Sequence, residues 1–331
     1  MAKTAVDDLI SEIKGISDYD ITDTDLDTLL LNSINRGLKR VKNLLKDHGF
    51  TQDVSKSTSF KTIDSQAYVD VTQAMIVGDA TSFTGVAGDK IDVTIDGIDY
   101  ADIDISAQTD IAGVVTQINA SVAGVASENG GGFLVIQSTT TGSGTTSNVT
   151  IADDGAASGA VDSLFSVAAE RTHTGINDLD EIFRLTERTN DNEIEIVKFD
   201  DLISWQPDPT SSEAATPFEA ARHFNRIYFR PTPSQSIYIY MEYYLLAVDV
   251  AAGGTMTFED KFDPIFVAMA QLDLQRYLDN TNAIAIADMR AEIKDLTQEL
   301  IIGAAKNINM TDQAQSRRTG DEFFSPRRPT T

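Results

Sequence analysis

The sequence predicts an α+β protein: N-terminal helices, a small antiparallel sheet and a C-terminal helical hairpin, interrupted by a small inserted ββαββ domain. Three observations predict it. Apolar stripes at helical spacing lie near both ends of the chain, and strand-like alternation fills the middle. Charge is concentrated as well. Between Thr62 and Glu170 stand fifteen carboxylates and one basic side chain, Lys90, so this stretch holds fourteen of the chain's 25 net negative charges. The borders that follow are 1–74 and 169–305 for the outer core, 75–168 for the insert and 306–331 for a flexible basic tail.

Val6, Leu9, Ile10 and Ile13 give a short amphipathic helix over about 5–14, with Gly15 as its stop. A second helix spans about 23–47, capped by Thr22 or Thr24. Its stripe is Leu26, Leu30, Ile34, Leu38, Val41 and Leu45. Asp23, Asp25 and Asp27 open it, and Lys39, Arg40, Lys42 and Lys46 crowd its end before Gly49, an order that complements the helix dipole.

Inside the insert, Ile91, Val93 and Ile95 alternate with polar residues, Asp96-Gly97 makes a turn, and Ala101, Ile103 and Ile105 alternate with Tyr100, Asp102 and Asp104. This reads as a hairpin with one buried and one acidic face. Thr109 or Asp110 caps a helix carrying Ile111, Val114, Val115 and Ile118. A second hairpin turns at Gly130–Gly132, and small polar residues fill 138–148.

Beyond Glu170, strand-like runs include DLDEIFRLTERT, NEIEIVKFDDLISW, HFNRIYFRPTP and SIYIYMEYYLLAV, with Pro231–Ser234 as the turn between the last two. In the final strand Ile237, Ile239, Met241, Tyr243 and Leu245 share one face. Tyr238, Tyr240, Glu242 and Tyr244 share the other, so that face contacts a second surface, and Tyr238, Tyr240 and Tyr244 are candidates for contacts between subunits. Asp263-Pro264 opens a helix over about 263–279, with Ile265, Met269, Leu272 and Tyr277-Leu278 facing inward. Ile284, Met289, Ile293, Leu296 and Leu300 mark a last helix over about 282–302.

Composition excludes much chemistry. There is no cysteine, hence no disulfide and no thiolate nucleophile or ligand. His48, His173 and His223 stand apart at no metal-binding spacing. Gly85, Gly88 and Lys90 lack phosphate-loop spacing, and Gly142-Ser143-Gly144 lacks the nucleophile-elbow form. Asp92, Asp96, Asp102 and Asp104 are read as a solvated strand face rather than a calcium site. The tyrosines and Phe229 lack the basic groove of a single-strand binder. The expectation is therefore no enzyme, no cofactor and no metal. Nothing near the N-terminus resembles an export signal and no apolar run is long enough to span a bilayer, so neither export nor membrane contact is expected.

Two resemblances follow. The run GDKIDVTIDGIDYADIDISAQTDIAGVVTQINAS, then VASENGGGFLVIQSTTTGSGTTSNVTI, resembles the flagellin hook-type module, which implies a fold and a structural setting rather than a reaction. The flanks resemble the head-to-tail connector adaptors of tailed double-stranded DNA bacteriophages. LLLNSINRGLKRVKNLL, DLDEIFRLTERT, RIYFRPTPSQSIYIYMEYYLLAV, FEDKFDPIFVAMAQLDLQRYLDN and AIAIADMRAEIKDLTQELI carry that likeness. It implies a ring of twelve copies beneath the portal, made in the host cytoplasm and residing in the virion at the head-to-tail junction. Its partners would be the portal protein, tail or other neck proteins, and double-stranded DNA that passes without sequence-specific binding. It further implies that the C-terminal tail docks on the portal, a role that falls to Arg317, Arg318, Arg327 and Arg328, with Phe323 and Phe324 as apolar anchors. The insert is expected to project outward from such a ring. A tail, baseplate or appendage protein is the alternative that the inserted module raises.

Overall fold

A computed structural model describes residues 3–17, 26–50, 54–142, 146–154, 159–166, 170–188, 190–205, 215–258, 260–277 and 286–302. The chain is an α+β protein. Its helices are α1 (Val6–Ile16), α2 (Asp27–Asp47), α3 (Ile111–Ser121), α4 (Ala160–Phe165), α5 (Phe199–Trp205), α6 (Asp263–Tyr277) and α7 (286–302). The strands are β1 (Ser55–Lys61), β2 (Tyr68–Asp70), β3 (Met75–Val77), β4 (Lys90–Ile95), β5 (Ile98–Asp104), β6 (Ala126–Glu128) and β7 (Leu134–Gln137). They continue with β8 (Asn148–Asp153), β9 (Glu170–Thr174), β10 (Leu179–Glu187), β11 (Asn192–Ile196), β12 (Glu219–His223), β13 (Arg226–Arg230) and β14 (Tyr238–Leu245). Two compact units result, one of Met1–Ser55 with Leu246–Thr331 and one of Lys56–Leu245. The borders expected at 75 and 168 fall inside the second.

In the first unit the apolar stripes of α1 and α2 are buried: Val6, Leu9 and Ile13 on one, Leu30, Ile34, Leu38, Val41 and Leu45 on the other. Gly15 does not stop α1, because it does not enter the left-handed region and the helix runs on to Ile16. Gly49 does end α2, at φ 72°, with its amide donating to the Lys46 carbonyl. Thr22 and Thr24, the expected caps, lie outside the described residues. Gly37 lets α2 approach α6, since a Cβ there would stand 3.3 Å from Phe266 Cδ1. The buried Asn35 amide donates to the Val250 carbonyl at 3.1 Å and its oxygen accepts from the Val250 amide at 2.8 Å, so one side chain satisfies a stretch of non-helical backbone.

Helix α6 buries more than one face, through Ile265, Phe266, Val267, Ala268, Ala270, Leu272 and Leu274. Of the residues expected inward, Ile265 and Leu272 are buried, Met269 is half-buried, and Tyr277 is exposed at the helix end. None of residues 286–302 is buried, so Met289, Ile293, Leu296 and Leu300 remain half-buried; Leu278 and Ile284 lie outside the described residues.

The second unit holds a seven-stranded sheet of order β1-β14-β10-β11-β12-β13-β2, a three-stranded sheet β3-β7-β6 and a four-stranded sheet β5-β4-β8-β9. The ββαββ succession is present as β4, β5, α3, β6 and β7. Its two hairpins belong to different sheets, which β3, β8 and β9 complete, and α4 adds a second helix. Helix α3 is capped by Asp110, whose carboxylate accepts the Gly113 amide at 2.7 Å.

Both small sheets and both helices share one core, built around Ile91, Val93, Ile118, Leu134, Ile136, Val149 and Phe165. A second core lines the seven-stranded sheet, with Phe60, Ile182, Leu185, Ile227, Phe229, Ile239 and Met241. Strand β3 serves both. Successive strand side chains point to opposite faces, so Ala74 and Ile76 enter the first core while Met75 and Val77 enter the second.

Three local expectations are corrected. Strands β13 and β14 do not pair: β13 lies between β12 and β2, and β14 between β10 and β1. The tight turn is Phe224-Asn225, joining β12 to β13, whereas Pro231–Ser234 begins a connection that carries the chain across the sheet. Residues 199–205, read as strand, form α5. On β5 the alternation breaks at a bulge. Ile103 pairs with Ile91 but Tyr100 pairs with Val93, so Ala101 and Asp102 together oppose Asp92, Ala101 turns outward and Tyr100 packs on the core. Asp102 takes φ 60° there, and its amide donates to the Asp92 carboxylate at 2.9 Å.

Candidate functional site

The tyrosine face of β14 is engaged within the chain. Lys61, 6% exposed, donates from Nζ to the Gly78 carbonyl and to Asp79 Oδ1, each at 2.6 Å. The same ammonium lies 5.1 Å from the Tyr238 ring centre and 5.4 Å from that of Phe133. Tyr238 closes the group by donating its hydroxyl to the Asp79 carboxylate at 3.3 Å. A buried cation is held here by a carboxylate, a carbonyl and two ring faces, where the chain leaves β3. Tyr240 donates to Glu242 at 3.3 Å beneath the Arg188 guanidinium, and Tyr244 is buried against Phe183 at 4.8 Å between ring centres. On the opposite face, burial pushes the Tyr243 phenol up, and the neighbouring Asp178 carboxylate, which accepts its hydrogen at 3.1 Å, adds to the shift.

The acidic face of the four-stranded sheet is solvated and internally linked. Lys90 Nζ lies 2.8 Å from Asp102 Oδ1 and 3.9 Å from Asp154 Oδ2. Hydrogen bonding to Lys90 holds the Asp102 carboxyl below its ordinary range, and the shared hydrogen bond with Asp102 raises that of Asp154. Asp96 differs from these. Burial opposes its ionisation, yet hydrogen bonds from the Ser138 hydroxyl at 2.6 Å, the Asn148 amide at 3.1 Å and the threonines beyond Ser138 outweigh that cost and lower its pKa. Asp96 therefore ties the β4–β5 turn to the segment entering β8. Among the described residues no group of three or more histidines, aspartates or glutamates could hold a metal ion.

The histidines occupy separate environments. His48 Nδ1 lies 2.9 Å from the Leu44 carbonyl, His173 Nδ1 accepts the Met75 amide at 3.2 Å, and His223 stacks on Phe199 at 4.0 Å. That last contact belongs to a cluster missed in the sequence: Phe199 also meets Tyr228, Tyr228 meets Tyr68, and Arg226 lies over Tyr68 at 4.3 Å. The β13–β2 pairing sets Tyr228 opposite Tyr68, the β12–β13 hairpin sets His223 opposite Arg226, and the parallel β11–β12 pairing, with α5 following β11, brings Phe199 to them. Phe229, grouped with the tyrosines from sequence, is a core residue with no exposure.

The first unit contains a cavity of about 180 Å³ lined by Asp7, Ile10, Ser11, Lys14, Asp27, Thr28, Leu31 and Ala252. Lys14 is 2% exposed and lies 2.5 Å from Asp27 Oδ1. The six tail residues Arg317, Arg318, Phe323, Phe324, Arg327 and Arg328 lie outside the described residues. Among the described residues no helix is long and apolar enough to cross a membrane.

No family model matches the chain, and no curated protein matches it. Among solved structures the chain is similar to the flagellar cap protein FliD D1-D2-D3 domains from Escherichia coli. The identity is 16%, 79% of this chain and 74% of that chain are covered, and the TM-score is 0.24. A score that low does not establish a shared fold.

Proposed function

We propose that the chain is a structural, non-enzymatic subunit of a ring that joins a tailed-phage capsid to its tail and conducts double-stranded DNA. One observation carries the reading: the helical segments on either side of it in sequence form one unit, and an acidic, β-rich unit of residues 56–245 is inserted between them in the chain. That is the division of labour expected of a connector, with a helical part for assembly and a separate body for further neck or tail proteins. Acidity suits a conduit. Like charge repels phosphates, so DNA can move past without the counterion-releasing contacts that would retain it. The tail from Lys306 to Thr331, with five basic and three acidic residues, supplies the portal-docking segment.

Immunogold electron microscopy of virions with an antibody against residues 79–165 tests this. Label at the head-tail junction is the expected result. Label along the tail or at its tip would overturn it in favour of an appendage or baseplate protein. Deletion of 306–331 should abolish attachment to the portal while leaving the folded units intact.

A further inference from the structure

Helices α1 and α2 spend their apolar stripes on the core of the first unit and leave polar faces of opposite sign in solvent. On α1 the exposed charges are Asp7, Asp8 and Glu12. The helix has one lysine, Lys14, which is turned inward and lies 2.5 Å from Asp27 Oδ1. On α2 the exposed charges are Arg36, Lys39 and Arg40 along its middle and Asp47 at its end, and no carboxylate occurs between Thr28 and Lys46 in a chain that holds 51 of them. This cationic face already takes carboxylates. Arg36 lies 3.1 Å from Asp273, and Lys39 lies 2.7 Å from Asp249.

We propose that the α2 face of one copy docks on the α1 face of a second copy, giving the head-to-tail contact from which a ring is built. The proposal rests on the ring reading for its setting and goes beyond it by naming the surfaces. Two different patches that complement each other make a heterologous contact. Such a contact leaves one patch of each kind open at the ends of any chain of copies until the rotation closes. A second copy suits the α2 face better than DNA does. A continuous line of phosphates would run past both Asp249 and Asp273, whereas the three carboxylates of one α1 fall within about a turn and a half of helix and need meet only part of the cationic face. Exposed ion pairs are screened by salt, so the contact weakens as ionic strength rises.

Sedimentation velocity of the full chain tests the contact. Wild type should self-associate at low salt and less at high salt. Lys39→Glu with Arg40→Glu, and separately Asp8→Lys with Glu12→Lys, should each weaken association by about ten-fold or more. The four substitutions together restore the attraction with its sign reversed and should recover assembly. All four substituted charges are exposed, so far-UV circular dichroism should not change. A wild type that stays monomeric, reversals without effect, or a combined variant that fails to recover would each overturn the contact. So would a Lys39→Glu, Arg40→Glu variant that assembles normally and loses only binding to a DNA duplex. Association unmoved by the reversals refutes this contact and leaves the ring reading standing, whereas the ring reading itself falls by the position of the virion label.

Discussion

Because strand β3 contributes to both cores, the second unit should unfold as a single cooperative body, and two adjacent substitutions test this. Ile76 is 2% exposed and belongs to the core of the small sheets, while its neighbour Met75, 6% exposed, belongs to the core of the seven-stranded sheet. Ile76→Ala deletes three carbon groups. At about 0.8 kcal/mol each, lost transfer energy amounts to roughly 2.4 kcal/mol. A residual cavity of some 50 Å³ at about 24 cal/mol per Å³ adds roughly 1.2, for a total of about 3.6 kcal/mol. Met75→Ala removes a side chain of similar size and should cost about 2–5 kcal/mol. If one strand couples the two cores, each substitution lowers the opening free energy of both. Hydrogen exchange on the full chain, read on peptides from β4–β5 and from β10–β14, separates the cases. The expected result is that Ile76→Ala speeds globally limited exchange in both peptide sets by a similar factor, and that Met75→Ala does the same. The reasoning is refuted if Ile76→Ala changes β4–β5 alone and Met75→Ala changes β10–β14 alone, the behaviour of two autonomous domains.

Asp96 gives a pH dependence. Its folded pKa is depressed, so its contribution is present above the ordinary carboxylate value and is lost as pH falls through the lowered one; Asp96→Asn should flatten that part of the acid-unfolding curve, read by circular dichroism. Lys61→Met leaves the Gly78 carbonyl and the Asp79 carboxylate without the ammonium and should lower stability by about 1–3 kcal/mol in urea unfolding, whereas an unchanged midpoint would show that Lys61 holds nothing. Gly37→Val places branched carbon against Phe266 and Met269 and should cost about 1–3 kcal/mol by overpacking, with a stability equal to wild type refuting the close approach of α2 and α6. Asp110→Ala removes the cap of α3 and should cost about 1 kcal/mol, seen as faster exchange of the Gly113 amide.

Much of this fold was legible wherever a local rule has one physical outcome. The stripe from Leu30 to Leu45 specifies a helix face, Asp96-Gly97 specifies a tight turn, Asp110 specifies a cap, and the alternation from Ile237 to Tyr243 specifies which side of β14 is buried. Alternation fixes faces but not neighbours. Strands β13 and β14 share one pattern and adjoin in sequence, yet they lie in different parts of the sheet, because pairing is decided by contacts far apart along the chain. A single residue can also undo the pattern: Asp102 tolerates a left-handed backbone, and that one bulge exchanges the roles of Tyr100 and Ala101.

The same limit applies to function. The tyrosines of β14 were legible as a face that must touch something, but not as a face meeting Asp79, Glu242 and Phe183 of their own chain. The Lys61 group joins residues distant in sequence, with no motif to announce it. Strand β3 shows why an insert cannot be delimited by composition alone. Charge changes near residue 62 and again near 170, but packing divides the chain at 55 and 246, because three short residues of β3 feed two cores at once. Acidity marks the solvent-facing side of the inserted stretch, and it carries no information about the inner side, where Met75 and Val77 commit that stretch to the sheet on which it is built.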